Sequence, residues 1–139
     1  MKVPCRIETV RENPAVVLDG AHNAASAKVL RKTLEKYFRF KRILLVFGIS
    51  GNKDIVGVMK ILLPMATEAV FPASPNKRLA KPDQLVRAAK SIGFTNTRIF
   101  PGVRDALGYA LDKAGAKDLV CVTGSFYTAG DAKKVLCAA

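Results

Sequence analysis

No stretch of this sequence approaches the roughly 20 consecutive apolar residues that a membrane-spanning helix needs, and Met1-Lys2-Val3-Pro4 leads into no secretory apolar region. A soluble, cytoplasmic protein with no membrane partner is the expectation. Cysteine is scarce: Cys5, Cys121 and Cys137 are odd in number and lack metal-ligand spacing, which argues against a disulfide scaffold and for free thiols. Cys121 lies inside an apolar run and reads as a small core residue. Histidine occurs once, as His22, so a direct metal site has almost no ligands to draw on. Nucleotide signatures are missing too. Without Gly-x-x-x-x-Gly-Lys-Ser/Thr or Gly-x-Gly-x-x-Gly, nothing in the chain is expected to cradle a nucleotide by itself. A hydrolytic triad of Ser125, His22 and Asp19 has little support, because Ser125 lacks the glycine pattern of a nucleophile elbow.

What is present suits one globular domain: 139 residues, half of them hydrophobic. Twenty-three Lys and Arg against eleven Asp and Glu give a net charge of +12, attractive to nucleic acid, acidic surfaces or anionic substrates. The charge does not choose among them. Its residues are spread along the chain, and Lys28, Arg31, Lys32 and Lys36 lie opposite the apolar stripe Ala27, Leu30, Leu34 and Tyr37, as a solvated helix face would.

In chain order, residues 6–10 alternate like an edge strand and 11–14 carry turn chemistry. Residues 15–19 read as a buried strand and 23–38 as a helix; 42–47 form an apolar run typical of a strand covered on both faces. Ile55, Val58, Met59, Leu62 and Leu63 have helical spacing up to Pro64, and 68–71 form a short strand. The polar stretch 72–81 reads as a variable loop. Pro82 opens a helix with Leu85, Val86 and Ala89 inward, ending at Gly93. Residues 98–100 form a weak strand, 103–114 a helix, 119–123 a buried strand, and a last helix ends near Leu136. One edge strand followed by five strand–helix units predicts an α/β, Rossmann-like, doubly wound, mostly parallel six-stranded sheet with one antiparallel edge strand and about five helices.

Three loops then share the carboxyl edge of that sheet: 19–23, 48–54 and 124–127. Each joins a glycine to a polar side chain, so backbone N–H groups can approach an anion, with Asp19 free for a cation or ribose and Lys53 and Ser125 for carboxylates. The bland alternatives are turns at Gly48, Gly51 and Gly124, helix caps at Asp19 and Asn23, and a satisfied loop residue at His22.

Val-Val-Leu-Asp-Gly-Ala-His-Asn at 16–23, Leu-Val-Phe-Gly-Ile-Ser-Gly-Asn-Lys-Asp at 45–54 and Val-Thr-Gly-Ser-Phe-Tyr at 122–127 resemble the carboxyl-terminal domain of the folylpolyglutamate synthase/dihydrofolate synthase family, relatives of the Mur ligases. The likeness runs over essentially the whole chain. It implies a linker remnant at 1–5, with Pro4-Cys5-Arg6 where the family has Pro-Gly-Arg, and a glutamate ligase domain at 6–139 whose amino-terminal ATPase domain is absent from this chain. Two positions depart from the family's pattern: Ala24 stands where proline usually follows the first motif, and Cys5 replaces the linker glycine.

The activity implied is ATP-dependent, Mg²⁺-assisted addition of L-glutamate to folate or dihydropteroate through an acyl phosphate, with the isolated domain inactive. By the same resemblance Asp19 and His22 act at the catalytic centre, and Lys53, Ser125 and Asn23 hold glutamate. Arg6 and Asp19 approach the nucleotide, and no residue ligates metal directly. The implied partners are the ATPase domain, L-glutamate, a folate or dihydropteroate, and ATP, with nucleic acid disfavoured. The competing reading is a basic, non-catalytic α/β module for nucleic acid or another polyanion; a third, a self-sufficient hydrolase, predicts ester turnover by the chain alone.

Overall fold

In the computed structural model, which describes residues 6–138, strands and helices alternate as the periodicity predicts. The described strands are β1 (Glu8–Arg11), β2 (Ala15–Leu18), β3 (Ile43–Phe47), β4 (Glu68–Pro72), β5 (Thr97–Phe100) and β6 (Leu119–Thr123). The helices are α1 (Ala24–Tyr37), α2 (Ile55–Leu62), α3 (Pro82–Ser91), α4 (Val103–Lys113) and α5 (Phe126–Cys137). One sheet results, ordered β1-β2-β6-β3-β4-β5, with β1 antiparallel to β2 and every other pairing parallel. This is the expected doubly wound α/β architecture.

Its two-sidedness follows from the strand order. From β2 the chain passes over β6 to β3, then to β4 and β5, and right-handed crossovers place α1, α2 and α3 on one face. Returning from β5 to β6 reverses the direction, so α4 and α5 cover the other face. Leu30, Leu34, Met59, Leu62, Leu85, Phe47 and Phe71 fill the first interface; Leu107, Ala110, Ala129, Ala132, Val120 and Val122 fill the second. With both faces covered, β3, β4 and β6 are buried at every residue, which is why none of them alternates apolar with polar residues. No helix among the described residues is long and apolar enough to cross a membrane.

Two boundaries differ from the periodicity. The edge strand starts at Glu8, because Ile7, at φ 48°, donates its N–H to the Asp19 carboxylate instead of to β2. Tyr37 is 70% exposed although it continues the α1 stripe; the chain leaves the helix there, and Phe38 packs on the core in its place. α2 stops at Leu62, ahead of Pro64 as expected, and Pro64 sits in a 3-10 turn, Leu63–Met65. The linker at 1–5, with Pro4 and Cys5, lies outside the described residues. Cys121 is a fully buried core residue and Cys137 is exposed, both as free thiols.

A candidate active site at the carboxyl edge

Because β6 lies between β2 and β3, the loops leaving these three strands stand side by side while their helices depart to opposite faces. Such a reversal opens a crevice at the carboxyl ends of the strands. The three loops are held there by close backbone approach. Gly124 has φ +104°, and a Cβ on it would lie 2.4 Å from the Gly48 carbonyl oxygen; a Cβ on Gly20 would meet the Phe126 ring at 2.3 Å. These glycines fit loop to loop, which explains them without any ligand.

Hydrogen bonds finish the junction. Ser125 caps α5: its Oγ accepts from the Thr128 N–H at 3.1 Å and donates to Thr128 Oγ1 at 3.0 Å, which donates on to the Gly48 carbonyl at 3.1 Å. Asn23 caps α1 in a reciprocal box with Ser26, its Oδ1 accepting the Ser26 N–H at 2.8 Å. Asp54 caps α2 by accepting the Gly57 N–H at 3.0 Å. Asp19 is not a helix cap. Only 6% exposed, it accepts the Ile7 N–H at 2.8 Å through Oδ1 and the Ala21 N–H at 2.9 Å through Oδ2, tying the start of the chain to the loop after β2. Burial pushes its carboxyl above the ordinary 3.8, against the lowering effect of those two N–H bonds and of nearby Arg6 and His22.

His22 Nδ1 lies 2.9 Å from the Gly20 carbonyl, which can only accept, so Nδ1 is the donor in this contact and fixes the ring. The ring leans on Phe126 at 6.0 Å between centroids. His22 stands where two clefts meet. One, of about 170 Å³, is walled by Arg6, Ile7, Asp19, Val29, Leu30 and Phe126. The other, of about 160 Å³, joins His22 to Ser50, Lys53, Ser125, Phe126 and Tyr127. Beyond Tyr127 a third opening of about 510 Å³ lies among Ser50, Asn52, Lys53 and Arg78.

The sequence-read residues therefore sort by place. Arg6, Asp19 and His22 share the first cleft, and His22, Lys53 and Ser125 share the second. Asn23 lines neither: it is exposed and serves α1. Phe126, Tyr127 and Arg78 were missed. Two exposed aromatics opening a helix directly after a glycine corner could have flagged the first two; Arg78, in a polar stretch read as variable, carried no signal. Among the described residues no group of three or more His, Cys, Asp or Glu is gathered to hold a metal ion.

The family model for the Mur ligase, glutamate ligase domain matches residues 5–126. The chain belongs to that family. Among its relatives is the dihydrofolate synthase/folylpolyglutamate synthase of Mycobacterium tuberculosis, 31% identical over 144 residues, 94% of this chain and 30% of that protein. E. coli FolC, solved in complex with DHPP and ADP, superposes with a TM-score of 0.89 at 30% identity over 98% of this chain and 32% of that one. A bifunctional folylpolyglutamate synthase/dihydrofolate synthase with Mn, AMPPNP and L-glutamate bound gives 0.88 at 29% identity, over 97% and 32%. The chain thus spans about 30% of the length of the curated relatives it matches.

Proposed function

We propose that this chain, taking residues 6–139 as one domain behind a linker at 1–5, supplies the glutamate-binding half of an ATP-dependent ligase that adds L-glutamate to a folate or dihydropteroate. One observation carries the reading: His22, Lys53 and Ser125, from three separate loops, line one cleft in a chain that superposes over nearly its whole length on a relative solved with L-glutamate bound. The other half, an amino-terminal ATPase domain with its own phosphate loop, is the implied partner. The domain is inactive without it.

The first cleft suits a nucleotide. Val29, Leu30 and Phe126 offer apolar contact to a flat ring, and the exposed Arg6 adds a cation for phosphate or ribose. Asp19 acts there by fixing the chain that carries Arg6, since both its oxygens are engaged by backbone N–H groups. ATP would supply the phosphoryl group that makes the folate carboxylate an acyl phosphate open to attack by the glutamate amine. Mg²⁺ bound with it would take its ligands from outside the described residues. His22, its ring fixed through Nδ1, stands between the two clefts, where Nε2 would exchange a proton with the incoming amine. Lys53 holds a glutamate carboxylate. Ser125 and Asn23 contribute by setting the starts of α5 and α1, and the Asn23 amide nitrogen remains available as a donor.

The test uses the full-length protein that carries this chain, following ADP formation that requires both glutamate and a folate or dihydropteroate. Lys53→Ala should raise the glutamate KM about tenfold or more while the ATP KM stays within about twofold, as expected when one charged contact is lost. An unchanged glutamate KM rejects the assignment.

A further inference from the structure

Phe126 is a large aromatic ring that neither core claims. It is the first residue of α5, 46% exposed, and belongs to neither packed interface of the sheet. A ring left half in water forgoes much of the gain from burying it, so core packing does not account for its place. Its backbone is fixed nonetheless: Ser125 caps the helix, and hydrogen bonds from Ser125 through Thr128 to the Gly48 carbonyl seat that cap on the loop after β3. The ring is fixed too. It lies against Gly20, where even a methyl group would come within 2.3 Å of Cδ1, and the His22 imidazole stands 6.0 Å away between centroids, tilted by 51°. His22 and Phe126 are the two residues that line both the 170 Å³ and the 160 Å³ cleft. These two rings are therefore the wall between the clefts, with Asp19, Val29 and Leu30 on one side and Ser50, Lys53 and Ser125 on the other.

We propose that Phe126 is the partition of the reaction centre: it holds the His22 ring between the two clefts and keeps water from the acyl phosphate, so that each ATP cleaved yields an amide. This rests on the ligase reading above and deepens it. The productive step forms a bond from the glutamate nitrogen to the acyl carbon and breaks the carbon–oxygen bond to phosphate. Phosphate departs with the electron pair, and the protons that the nitrogen sheds leave by way of His22 Nε2. Water attacking the same carbon breaks the same bond, returns the free carboxylate and leaves ATP cleaved without product. The two nucleophiles thus compete for one atom. An apolar ring that fills the gap between the clefts offers water neither a hydrogen bond nor room, and the amine enters from the Lys53 side without crossing it. Phe126 is a positioning residue in this scheme, since it acts through His22 and through the water it displaces.

In the full-length protein, ADP and the glutamyl amide are measured together at saturating ATP, glutamate and folate or dihydropteroate. Phe126→Ala should lower the amide formed per ADP about twofold or more, the amide rate falling further than the ADP rate. Phe126→Leu, which keeps apolar bulk, should restore part of that ratio. Gly20→Ala keeps the ring but pushes it from its seat, and should lower the ratio in the same direction. Val29→Ala is the comparison: Val29 lines the first cleft alone, so this change should raise the ATP KM and leave the ratio where it was. A ring with only a structural role would lower both rates together, so a change of less than about twofold in the Phe126→Ala ratio overturns the proposal whatever the rate. An equal loss of ratio in Val29→Ala overturns it as well. If Phe126→Ala does not fold, Phe126→Leu and Gly20→Ala decide by the same ratio. If the unaltered protein forms no amide, the ligase reading itself fails and the partition falls with it.

Discussion

Replacing Gly124 by alanine tests whether the corner after β6 sets the geometry of the whole edge. At φ +104° an alanine pays the left-handed cost of about 1–2 kcal/mol. Its Cβ would also sit 2.4 Å from the Gly48 oxygen and 2.9 Å from the Gly48 carbonyl carbon, so backbone must move. Gly48 is held by its N–H to the Thr123 carbonyl at 3.1 Å and by Thr128 Oγ1 on its own carbonyl at 3.1 Å. Displacing it breaks one or both of these bonds, at about 1 kcal/mol each. The sum is a loss of about 2–4 kcal/mol, a large part of the roughly 5–15 kcal/mol typical of a domain. Urea unfolding measures it. Gly108→Ala, inside α4 with nothing within 4 Å of the added atom, is the control and should gain about 1 kcal/mol from helix propensity. A Gly124→Ala loss below about 1 kcal/mol would refute the idea that loop-to-loop contact requires glycine there.

Thr123 Oγ1 is the one buried side-chain polar atom among the described residues without a hydrogen bond, so Thr123→Val should stabilise by about 1 kcal/mol in the same unfolding assay; destabilisation would reveal a bound partner. Asp118 and Asp19 carry opposite pH signs. The Arg42 guanidinium, 2.7 Å from Asp118, holds that carboxyl below its ordinary 3.8, so its stabilisation is present above that pH and fades as acid titrates it; Asp118→Asn should be less stable at neutral pH and converge with the unaltered protein in strong acid. Burial raises the Asp19 carboxyl above 3.8, so its contribution declines as pH climbs from 3.8 through the raised value, a decline that Asp19→Asn should remove from the stability curve. Burial pushes the Cys121 thiol far up, with the Asp19 charge adding to it; with Cys5 replaced, a thiol reagent should therefore label one group, Cys137, in the folded protein and two after denaturation.

The central strands were legible because burial on both faces leaves a continuous apolar run; β3 is such a run throughout and β6 is one up to Thr123. The three glycine corners were legible as corners but not as ligand sites or turns, since the same residues serve either purpose. Asn23 and Ser125 show how the choice fell: each side-chain oxygen completes a helix start, a contact three residues away that spacing allows but does not require. The beginning of β1 escaped for a different reason. A carboxylate twelve residues away takes the Ile7 N–H, and periodicity registers side-chain burial, not the destination of a backbone donor. Arg78 escaped for the same reason on a larger scale, because backbone pairing between two polar loops leaves no hydrophobic pattern.

This division separates the groups that hold the edge from those left to act on a ligand. Asp19, Asn23, Ser125, Asp54 and Thr128 are bound to backbone donors or acceptors of the loops themselves, and together they fix three corners that are otherwise only glycine and turn. His22 Nε2, Lys53, Arg6 and most of the Arg78 guanidinium remain outward, all of them bases or cations. A site that is rigid through its acids and hydroxyls and open through its cations has no electrostatic use for a cationic substrate, and it attracts whatever brings phosphate or carboxylate. The overall charge of +12 points the same way but could not have located the site, because its cations are spread over helices, strands and loops along the chain. Location came from strand order: inserting β6 between β2 and β3 brings the three corners together, and the same seven-residue loop after β3 that bears Lys53 also pairs with the segment bearing Arg78.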